Sequence, residues 1–263
     1  MEQKNLFLKQ VEDKYRRFSD NYIIQNSDFL SMEQQSMLAG FFRAHSGEGI
    51  FLFGGYSDAE RKQVLFMPDY TNVEEETGAL EYFKENPSEC PMGVLDISVA
   101  TPDMGKLSHR DYLGALMGEG IKREKVGDII VTNTGAKIVA AEELVDYLER
   151  NLYRVGRVPV TVKTSPIFNL TGIKPQINSL NFTVSSPRID NIIAVAFGIS
   201  RKAAVEAICQ GKVFVNGIEM IKPDFSLKGG EKVVLRGKGK LIYNGTTGTS
   251  KKGKAYINVD KYI

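Results

Sequence analysis

The chain has 263 residues, and its 34 Lys and Arg against 32 Asp and Glu leave a net charge of only +2 at neutral pH. Hydrophobic residues make up 42% and charged residues 25%, as in ordinary globular proteins, and no apolar run approaches the roughly 20 residues that span a bilayer. The first residues, MEQKNLFLKQVEDKYRRF, mix charges unlike a secretory signal, and two separated cysteines exclude a disulfide scaffold, so we expect a cytoplasmic protein without membrane insertion.

Residues 1–90 predict an acidic N-terminal α/β domain. Roughly the first 45 residues show apolar side chains at helical spacing, in two segments, the second of which begins at Ser31. Strands are predicted at 49–53 and 63–67, and Pro68 ends the second. The domain shows no recognisable chemistry. Its acidic surface would either repel RNA or recruit a basic protein partner, and the sequence does not choose between the two.

Residues 91–165 alternate strand and helix patterns in the order β-α-β-β-α-β. Ferredoxin-like domains have this order, and RNA-recognition modules are among them, although fold alone does not assign function. Asp96, on the first strand, has no evident partner. The loop GIKREK between the first helix and the following hairpin holds more cations than a connector needs. It is either an RNA contact or a plain charged loop, and its cations are Lys122, Arg123 and Lys125.

Residues 166–184 contain several turn-forming residues and predict an extended linker. The remaining residues, 185–263, predict two short helices followed by a hairpin. Ser186 is the expected N-cap of the first helix, because Pro187 follows it at the first helical position. The other signals are an N-cap for the second helix, a glycine that ends it and an Asn-Gly hairpin turn, at Ser200, Gly211 and Asn216-Gly217.

The net charge is unevenly distributed along the chain. Residues 1–90 carry −7, residues 91–185 carry +1 and residues 186–263 carry +8. Asymmetry of this kind favours a nucleic-acid partner at the basic end, with a solvated lysine-rich tail as the equally simple alternative.

Two cations, Arg201 and Lys202, fall in the first turn of the second predicted helix of this basic segment. The helix dipole already favours an anion there, so two cations make sense if a phosphate docks at that end. Arg188 precedes them on the first helix, and Lys212 follows the second. Together these groups predict a surface that grips a phosphate backbone without reading bases.

The run SSPRIDNIIAVAFGISRKAAVEAICQGKVFVNGIEM closely resembles the RNA-binding module named after ribosomal protein S-four, the alpha-L motif. Two further segments, LSHRDYLGALMGEGIKREKVGDIIV and GTSKKGKAYI, resemble the YlmH-type ribosome-associated proteins. That family is linked to quality control of stalled large ribosomal subunits. The resemblance implies an α+β chain with an N-terminal α/β element, a central ferredoxin-like domain and a C-terminal alpha-L-motif domain. Lys254 stands where the family often has arginine, so the charge is kept but bidentate phosphate geometry is lost.

The resemblance and the helix-end argument together give a set of candidate RNA-contact residues. In the C-terminal domain they are Arg188, Ser200, Arg201, Lys202, Gln210, Lys212, Lys222, Arg236, Lys238, Lys240, Lys251, Lys252 and Lys254. Tyr243 or Tyr256 could stack a base. Asp190 is expected either to orient neighbouring groups or to cap locally, and Asn216 is explained by its turn. Cys209 is expected to be a buried small hydrophobe.

Catalytic and cofactor signatures are not found. His109-Arg110-Asp111 spells a kinase tripeptide, but Leu116 stands where the required Asn belongs, and no nucleotide-binding glycine loop exists. With only two histidines and no cysteine pair, no metal site and no cofactor are expected.

The leading hypothesis is therefore a non-enzymatic RNA-binding protein. By resemblance, it would dock on the large ribosomal subunit and contact ribosomal RNA and peptidyl-tRNA, in rescue or quality control of stalled ribosomes. The alternative is an RNA-modifying enzyme, like a pseudouridine synthase, that uses the module for targeting. Such an enzyme needs a catalytic aspartate in a recognisable loop or a cofactor pocket, and the first 185 residues show neither.

Overall fold

The computed structural model describes residues 2–170, 177–250 and 253–262. The chain divides into two compact units, Met1–Gly172 and Ile173–Ile263. Helices and sheets alternate without a parallel α/β layer, so the predicted α+β class is confirmed. Among the described residues, no helix is both long enough and apolar enough to cross a membrane.

The N-terminal part of the first unit wraps helices around a three-stranded antiparallel sheet of order β1-β3-β2. Its core joins Val11 and Phe18 of the first helix to Val64 and Phe66 of the central strand. The two predicted strands are confirmed, whereas the last of these helices was not predicted. The elements are α1 (Glu2–Asn21), β1 (Gln25–Asn26), α2 (Met32–Met37), α3 (Ala39–Ala44), β2 (Ile50–Phe53), β3 (Gln63–Phe66) and α4 (Glu76–Glu85).

The rest of the first unit forms an antiparallel sheet of order β5-β6-β4-β8-β7 with two helices on one face. The predicted order of strands and helices is confirmed, and a two-residue strand, β7, is added before the last strand. Leu95, Ile138, Val145 and Leu148 form the core between sheet and helices. The elements are β4 (Met92–Val99), α5 (His109–Gly118), β5 (Val126–Thr132), β6 (Gly135–Ala141), α6 (Glu142–Asn151), β7 (Arg154–Val155) and β8 (Val158–Pro166).

A part-buried polar network on Asp128 ties the N-terminal part of this unit to the central sheet. The carboxylate accepts hydrogen bonds from the Tyr56 hydroxyl at 2.6 Å and from the backbone N–H groups of Glu60 and Arg61 at 2.8 and 3.0 Å. Burial, with the nearby Asp128 charge, raises the pKa of Tyr56 above its ordinary value. The predicted boundary at residue 90 therefore falls inside one compact unit.

The second unit is a six-stranded antiparallel sheet of order β11-β10-β12-β13-β14-β9 with two helices packed on it. Its core contains the buried residues Ile189, Ile192 and Ile193 of the first helix and Ala204 and Ile208 of the second. The elements are β9 (Ile177–Val184), α7 (Ile189–Ala196), α8 (Arg201–Cys209), β10 (Val213–Val215), β11 (Ile218–Glu219), β12 (Glu231–Leu235), β13 (Gly239–Thr249) and β14 (Ala255–Tyr262).

The linker predicted over 166–184 is wrong at both of its ends. Pro166 is the last residue of β8, and 177–184 form β9, which pairs along its whole length with β14. The sequence of β9, INSLNFTV, places Leu180 and Phe182 on the core face, a period-two pattern that the preceding turn residues obscure. Gly172 and Pro175 of the predicted linker lie outside the described residues.

Three local predictions are corrected. Helix α7 begins at Ile189 with Arg188 as its N-cap, because Arg188 is still extended and forms a β-bridge with Ser226. Ser186, the predicted cap, instead accepts a hydrogen bond at its Oγ from the Asn191 side chain at 3.1 Å.

Cys209 is exposed rather than buried, since Ile208 beside it takes the core-facing position and one residue turns a helix by about 100°. The expectation that Asp96 has no partner is also wrong. It pairs with Lys137 and accepts a hydrogen bond from the Ser165 hydroxyl at 2.8 Å.

Candidate nucleic-acid interface

The helix pair α7–α8 sets the positions of the basic groups in the second unit. Gly198, with a φ of +62°, ends α7, and Ser200 caps α8 by accepting a hydrogen bond at its Oγ from the Ala203 N–H at 3.1 Å. The predicted cap at Ser200 is confirmed. Arg188, the N-cap of α7, and Arg201, in the first turn of α8, both bond Asp190, so they lie at the same place on the surface.

Asp190 holds these two arginines together. Its side chain is fully buried, at 0% exposure. One carboxylate oxygen accepts from Arg188 Nε at 3.1 Å, and the other accepts from Arg188 Nη2 at 3.1 Å and from Arg201 Nε at 3.0 Å. The Asn191 N–H adds a further hydrogen bond at 3.0 Å, so the carboxylate is well satisfied.

The arginines of this cluster remain available to a ligand. The side chains of Arg188 and Arg201 are 34% and 58% exposed, although both contact Asp190. A guanidinium has five N–H groups on three nitrogens, and each arginine contacts the carboxylate through only two of these nitrogens. The cluster therefore keeps a net charge of +1 and presents fixed, outward-facing donors, the geometry that suits a phosphate. Lys202 is exposed beside it on the first turn of α8.

The other end of α8 carries the next basic group. Gln210 is exposed at the C-cap, and Gly211, with a φ of +66°, ends the helix as predicted. This positive φ favours glycine, whereas the 2.4 Å approach of an added Cβ to Glu219 Oε1 involves only the end of a flexible side chain. The exposed Lys212 follows, and its carbonyl accepts the Arg236 N–H at 2.9 Å. Lys212 and the turn between β12 and β13 are thus neighbours at one end of the sheet.

That turn, 236–240, alternates cations with glycines. Gly237 and Gly239 both have positive φ, at +79° and +122°, which lets the backbone turn tightly between β12 and β13. Arg236 lies 5.4 Å from the Phe214 ring centroid, and Lys240 lies 4.4 Å from that of Tyr262. Lys238 is exposed at the tip. The side chains of Arg236 and Lys240 are therefore positioned by aromatic rings.

The remaining candidates of the second unit are dispersed. Lys222 is exposed in the segment between β11 and β12, and Lys254 is exposed at the start of β14, with its N–H donating to Ser250 Oγ at 3.0 Å. Lys251 and Lys252 lie outside the described residues.

The two tyrosines proposed for base stacking differ in exposure. Tyr243 is only 2% exposed, and its hydroxyl contacts Thr246 Oγ1 at 2.9 Å, so its prediction as a stacking residue is wrong. It belongs to the core because β13 turns every second side chain inward. Tyr256 is 45% exposed and remains available to a base.

The basic loop of the first unit is more constrained than its sequence suggests. Arg123 Nη1 donates to the carbonyls of Val126 and Gly127, the latter at 3.2 Å, and burial lowers the Arg123 pKa. Lys125 bridges Asp28 at 2.9 Å and Glu143 at 2.7 Å. Burial opposes its charge, yet the hydrogen bonds to these two carboxylates raise the Lys125 pKa.

Of the three cations predicted in this loop, Lys122 is the exposed one. Arg123 and Lys125 form hydrogen bonds and ion pairs with other residues of this chain. The structure therefore gives no support to either as an RNA contact. Their intramolecular partners lie on distant segments that the loop sequence does not reveal.

No group of His, Cys, Asp and Glu side chains within the described ranges is arranged to hold a metal ion.

Comparison with known proteins finds a family model that matches a segment of each unit. A family model described as a putative RNA-binding domain in YlmH matches residues 93–169, and the S4 domain model matches residues 187–233. The ribosome-associated protein quality control protein P2 of Bacillus subtilis (strain 168) is 26% identical over 255 residues, which cover 97% of this chain and 94% of that protein. The resemblance to YlmH-type proteins is confirmed.

A solved structure, the cell division protein ylmH from Streptococcus pneumoniae, is 21% identical, with a TM-score of 0.47, over 65% of this chain and 95% of its own. Within the present chain, the S4 domain contains the Asp190 cluster and both ends of α8. The turn at 236–240 and strands β13, β14 and β9 lie outside the S4 match and complete the sheet around it. The YlmH RNA-binding domain corresponds to the central sheet of the first unit.

Proposed function

We propose that this YlmH-type chain is a non-enzymatic protein that docks on the large ribosomal subunit and contacts ribosomal RNA and peptidyl-tRNA, in the rescue of stalled ribosomes. One observation carries the proposal: an S4 domain whose Arg188 and Arg201 are held at the surface by the buried carboxylate of Asp190. Docking on ribosomes would place the protein in the cytoplasm.

The mechanism is positional. Arg188, Arg201 and Lys202 form one phosphate-binding group at the start of α8, and Lys212 with the turn at 236–240 forms another at the far end. Phosphate contacts fix the register and orientation of a protein on RNA without reading sequence. The surface is therefore suited to recognising the shape of folded RNA. The name of the Bacillus subtilis relative, a ribosome-associated quality control protein, supports the ribosome as the target.

Ribosome co-sedimentation tests the proposal. The double variant Arg201→Glu with Lys202→Glu reverses two charges at the start of α8 and should remove the protein from the large-subunit fraction. Arg16→Glu with Arg17→Glu, at two exposed arginines of α1, is the matched control and should sediment as the unmodified chain does. Unchanged sedimentation of the double variant would show that the docking surface is wrong.

Two further measurements separate the proposal from its alternatives. Crosslinking in cells followed by sequencing of the attached RNA should recover tRNA and one region of large-subunit RNA, whereas messenger RNA alone would refute ribosome docking. Incubation with bulk ribosomal RNA and mapping of its bases should show no new modification. New modified bases would support the RNA-modifying enzyme instead.

A further inference from the structure

The end of α6 and the β7–β8 hairpin carry a group of side chains to which neither the sequence motifs nor the comparisons give a role. The segment RNLYRVGR, residues 150–157, contains three arginines, one tyrosine and no acidic residue. We call the four side chains the hairpin patch: Arg150, Tyr153, Arg154 and Arg157.

The hairpin patch stands on a rigid support. Leu152 is 3% exposed and Val155 is 0% exposed, and both belong to the core beneath the central sheet. The two residues between them therefore point away from that core. Pairing of β7 with β8 and the hydrogen bond from the Val160 N–H to the Tyr153 carbonyl at 3.0 Å fix the backbone. A site held by paired strands is better positioned than one on a free loop.

Tyr153 is the most exposed large hydrophobic side chain among the described residues, at 67%. A ring exposed to this extent presents most of its surface to a ligand. The Arg154 guanidinium carbon lies 5.8 Å from the ring centroid, a cation–π distance. In proteins that bind single-stranded RNA, bases stack on aromatic rings and on guanidinium planes, so a ring beside a guanidinium is suited to base stacking.

The positive charge of the hairpin patch is largely uncompensated. Neither Arg154 nor Arg157 forms an ion pair with another residue in the described part of the chain. Arg150 lies 3.9 Å from Asp146, but both side chains are more than three-quarters exposed, so this pair contributes little. The patch therefore offers three cations within one eight-residue segment, and Arg154 lies beside its exposed ring.

The central sheet itself has no aromatic residue to offer. RNA-recognition modules stack bases on rings from the middle strands of their sheet. Strands β4, β5, β6 and β8 read MGVLDISV, VGDIIVT, GAKIVAA and VPVTVKTSP, without a single Phe, Tyr or Trp. Stacking of a base on an aromatic ring of this domain therefore needs another surface, and Tyr153 of the hairpin patch is more exposed than the ring of Tyr147 on α6.

We propose that the hairpin patch binds an unpaired stretch of RNA, with one base stacked on the Tyr153 ring and the neighbouring phosphates held by Arg154 and Arg157. The inference rests on the proposed function, because it gives the YlmH RNA-binding domain its own contact with the same class of ligand. An acidic protein segment would pair with the arginines but would make no use of the ring beside Arg154. Unpaired RNA accounts for both.

The test uses the full chain carrying Arg201→Glu and Lys202→Glu, which weakens the C-terminal interface and exposes the contribution of the hairpin patch. Fluorescence anisotropy with a short labelled oligouridine measures binding. Adding Tyr153→Ala should weaken binding by about 5- to 150-fold, the range seen when a base-stacking ring is removed. Tyr153→Phe should restore it, since the ring alone stacks. Tyr70→Ala, which removes a ring of 56% exposure beside Asp69, is the matched control and should have no effect.

Two readouts locate the contact and identify the ligand class. Ultraviolet crosslinking of the unmodified chain to thiouridine-labelled RNA should give an adduct on the peptide that contains Tyr153. A base-paired duplex should bind with the same affinity before and after Tyr153→Ala. An effect of Tyr153→Ala on the duplex equal to that on oligouridine, or displacement of oligouridine by polyglutamate at matched charge, would overturn the assignment to unpaired RNA.

The outcomes also distinguish this inference from the function on which it rests. If the crosslinks fall only in the second unit and Tyr153→Ala has no effect, the hairpin patch is refuted while ribosome docking stands. If the Arg201→Glu and Lys202→Glu chain still sediments with ribosomes and Tyr153→Ala prevents it, the C-terminal docking surface is refuted instead, and the hairpin patch becomes the main contact.

Discussion

The buried carboxylate of Asp190 on α7 bonds the guanidinium of Arg201 on α8, with 3.0 Å between Oδ2 and Nε. Arg201 thereby becomes a fixed donor instead of a mobile surface side chain, and Arg188 shares the same carboxylate. A cation held in place loses less conformational freedom when it binds a phosphate, so the acidic residue increases affinity for an acidic ligand.

Asp190→Asn tests this arrangement because it makes the domain more positive by one charge while replacing one accepting oxygen with an NH2 group that cannot accept. If affinity followed net charge, RNA binding would strengthen. We expect it to weaken, because Arg188 and Arg201 lose their common orientation. The free energy of unfolding should fall by about 1–3 kcal/mol, because the buried side chain at position 190 loses its charged hydrogen bonds and water does not replace them. The partly exposed arginines are rehydrated, which limits the loss. Chemical denaturation and RNA titration measure the two effects. Asp224→Asn, at an exposed residue of the same unit, should strengthen binding slightly and leave stability unchanged.

Lys212 provides a test of the electrostatic mechanism. Its exposed side chain follows α8 beside the turn that begins at Arg236. Lys212→Ala should weaken binding to all folded RNAs by a similar factor and reduce the slope of log affinity against log salt by about 0.7–0.9, the change expected for one lost phosphate contact. Titrations at several salt concentrations give the slope. An unaltered slope would remove Lys212 from the interface, and Lys84→Ala in the acidic part of the first unit provides the comparison.

Asp128 should be important for the stability of the first unit and irrelevant to docking through the second. Asp128→Ala leaves the Tyr56 hydroxyl and two backbone N–H groups without their acceptor. We expect a loss of about 2–4 kcal/mol in unfolding free energy, because several part-buried donors lose a charged partner together. Thermal or chemical unfolding measures it, and Asp20→Ala, at an exposed residue of α1, should be nearly neutral. An unchanged free energy of unfolding in Asp128→Ala would show that this network does not hold the N-terminal part of the unit to the central sheet.

The two cysteines should react very differently with thiol reagents. Burial raises the pKa of Cys90 to about 12, and its Sγ–H donates to the Met92 carbonyl at 3.2 Å. At mildly alkaline pH, Cys90 therefore stays protonated and inaccessible, while the exposed Cys209 reacts. The folded chain should take up one equivalent of reagent, and the unfolded chain should take up two. Two equivalents in the folded state, or a reactive Cys209→Ser variant, would contradict the buried position of Cys90.

The C-terminal elements could be predicted from the sequence because their signals are local. The Ser200 cap, the Gly211 helix end and the Asn216-Gly217 turn each depend on a few adjacent residues, and the positive φ of Asn216 and Gly217 confirms the turn. The roles of Arg123 and Lys125 could not be predicted in the same way. Their partners include Asp28 and Glu143, which only the folded chain brings near, and no pattern within the loop indicates them.

Strand β9 gives the second unit an unusual connectivity. Ile177 at its start pairs with Tyr262 at the end of β14, so the first and last described residues of the unit are adjacent on neighbouring strands. A polypeptide whose two ends meet can be joined there and reopened at a distant turn without breaking a pairing. The unit is therefore a natural candidate for circular permutation, with new termini at 236–238, between the paired residues of β12 and β13. It could also be inserted whole into a loop of another protein.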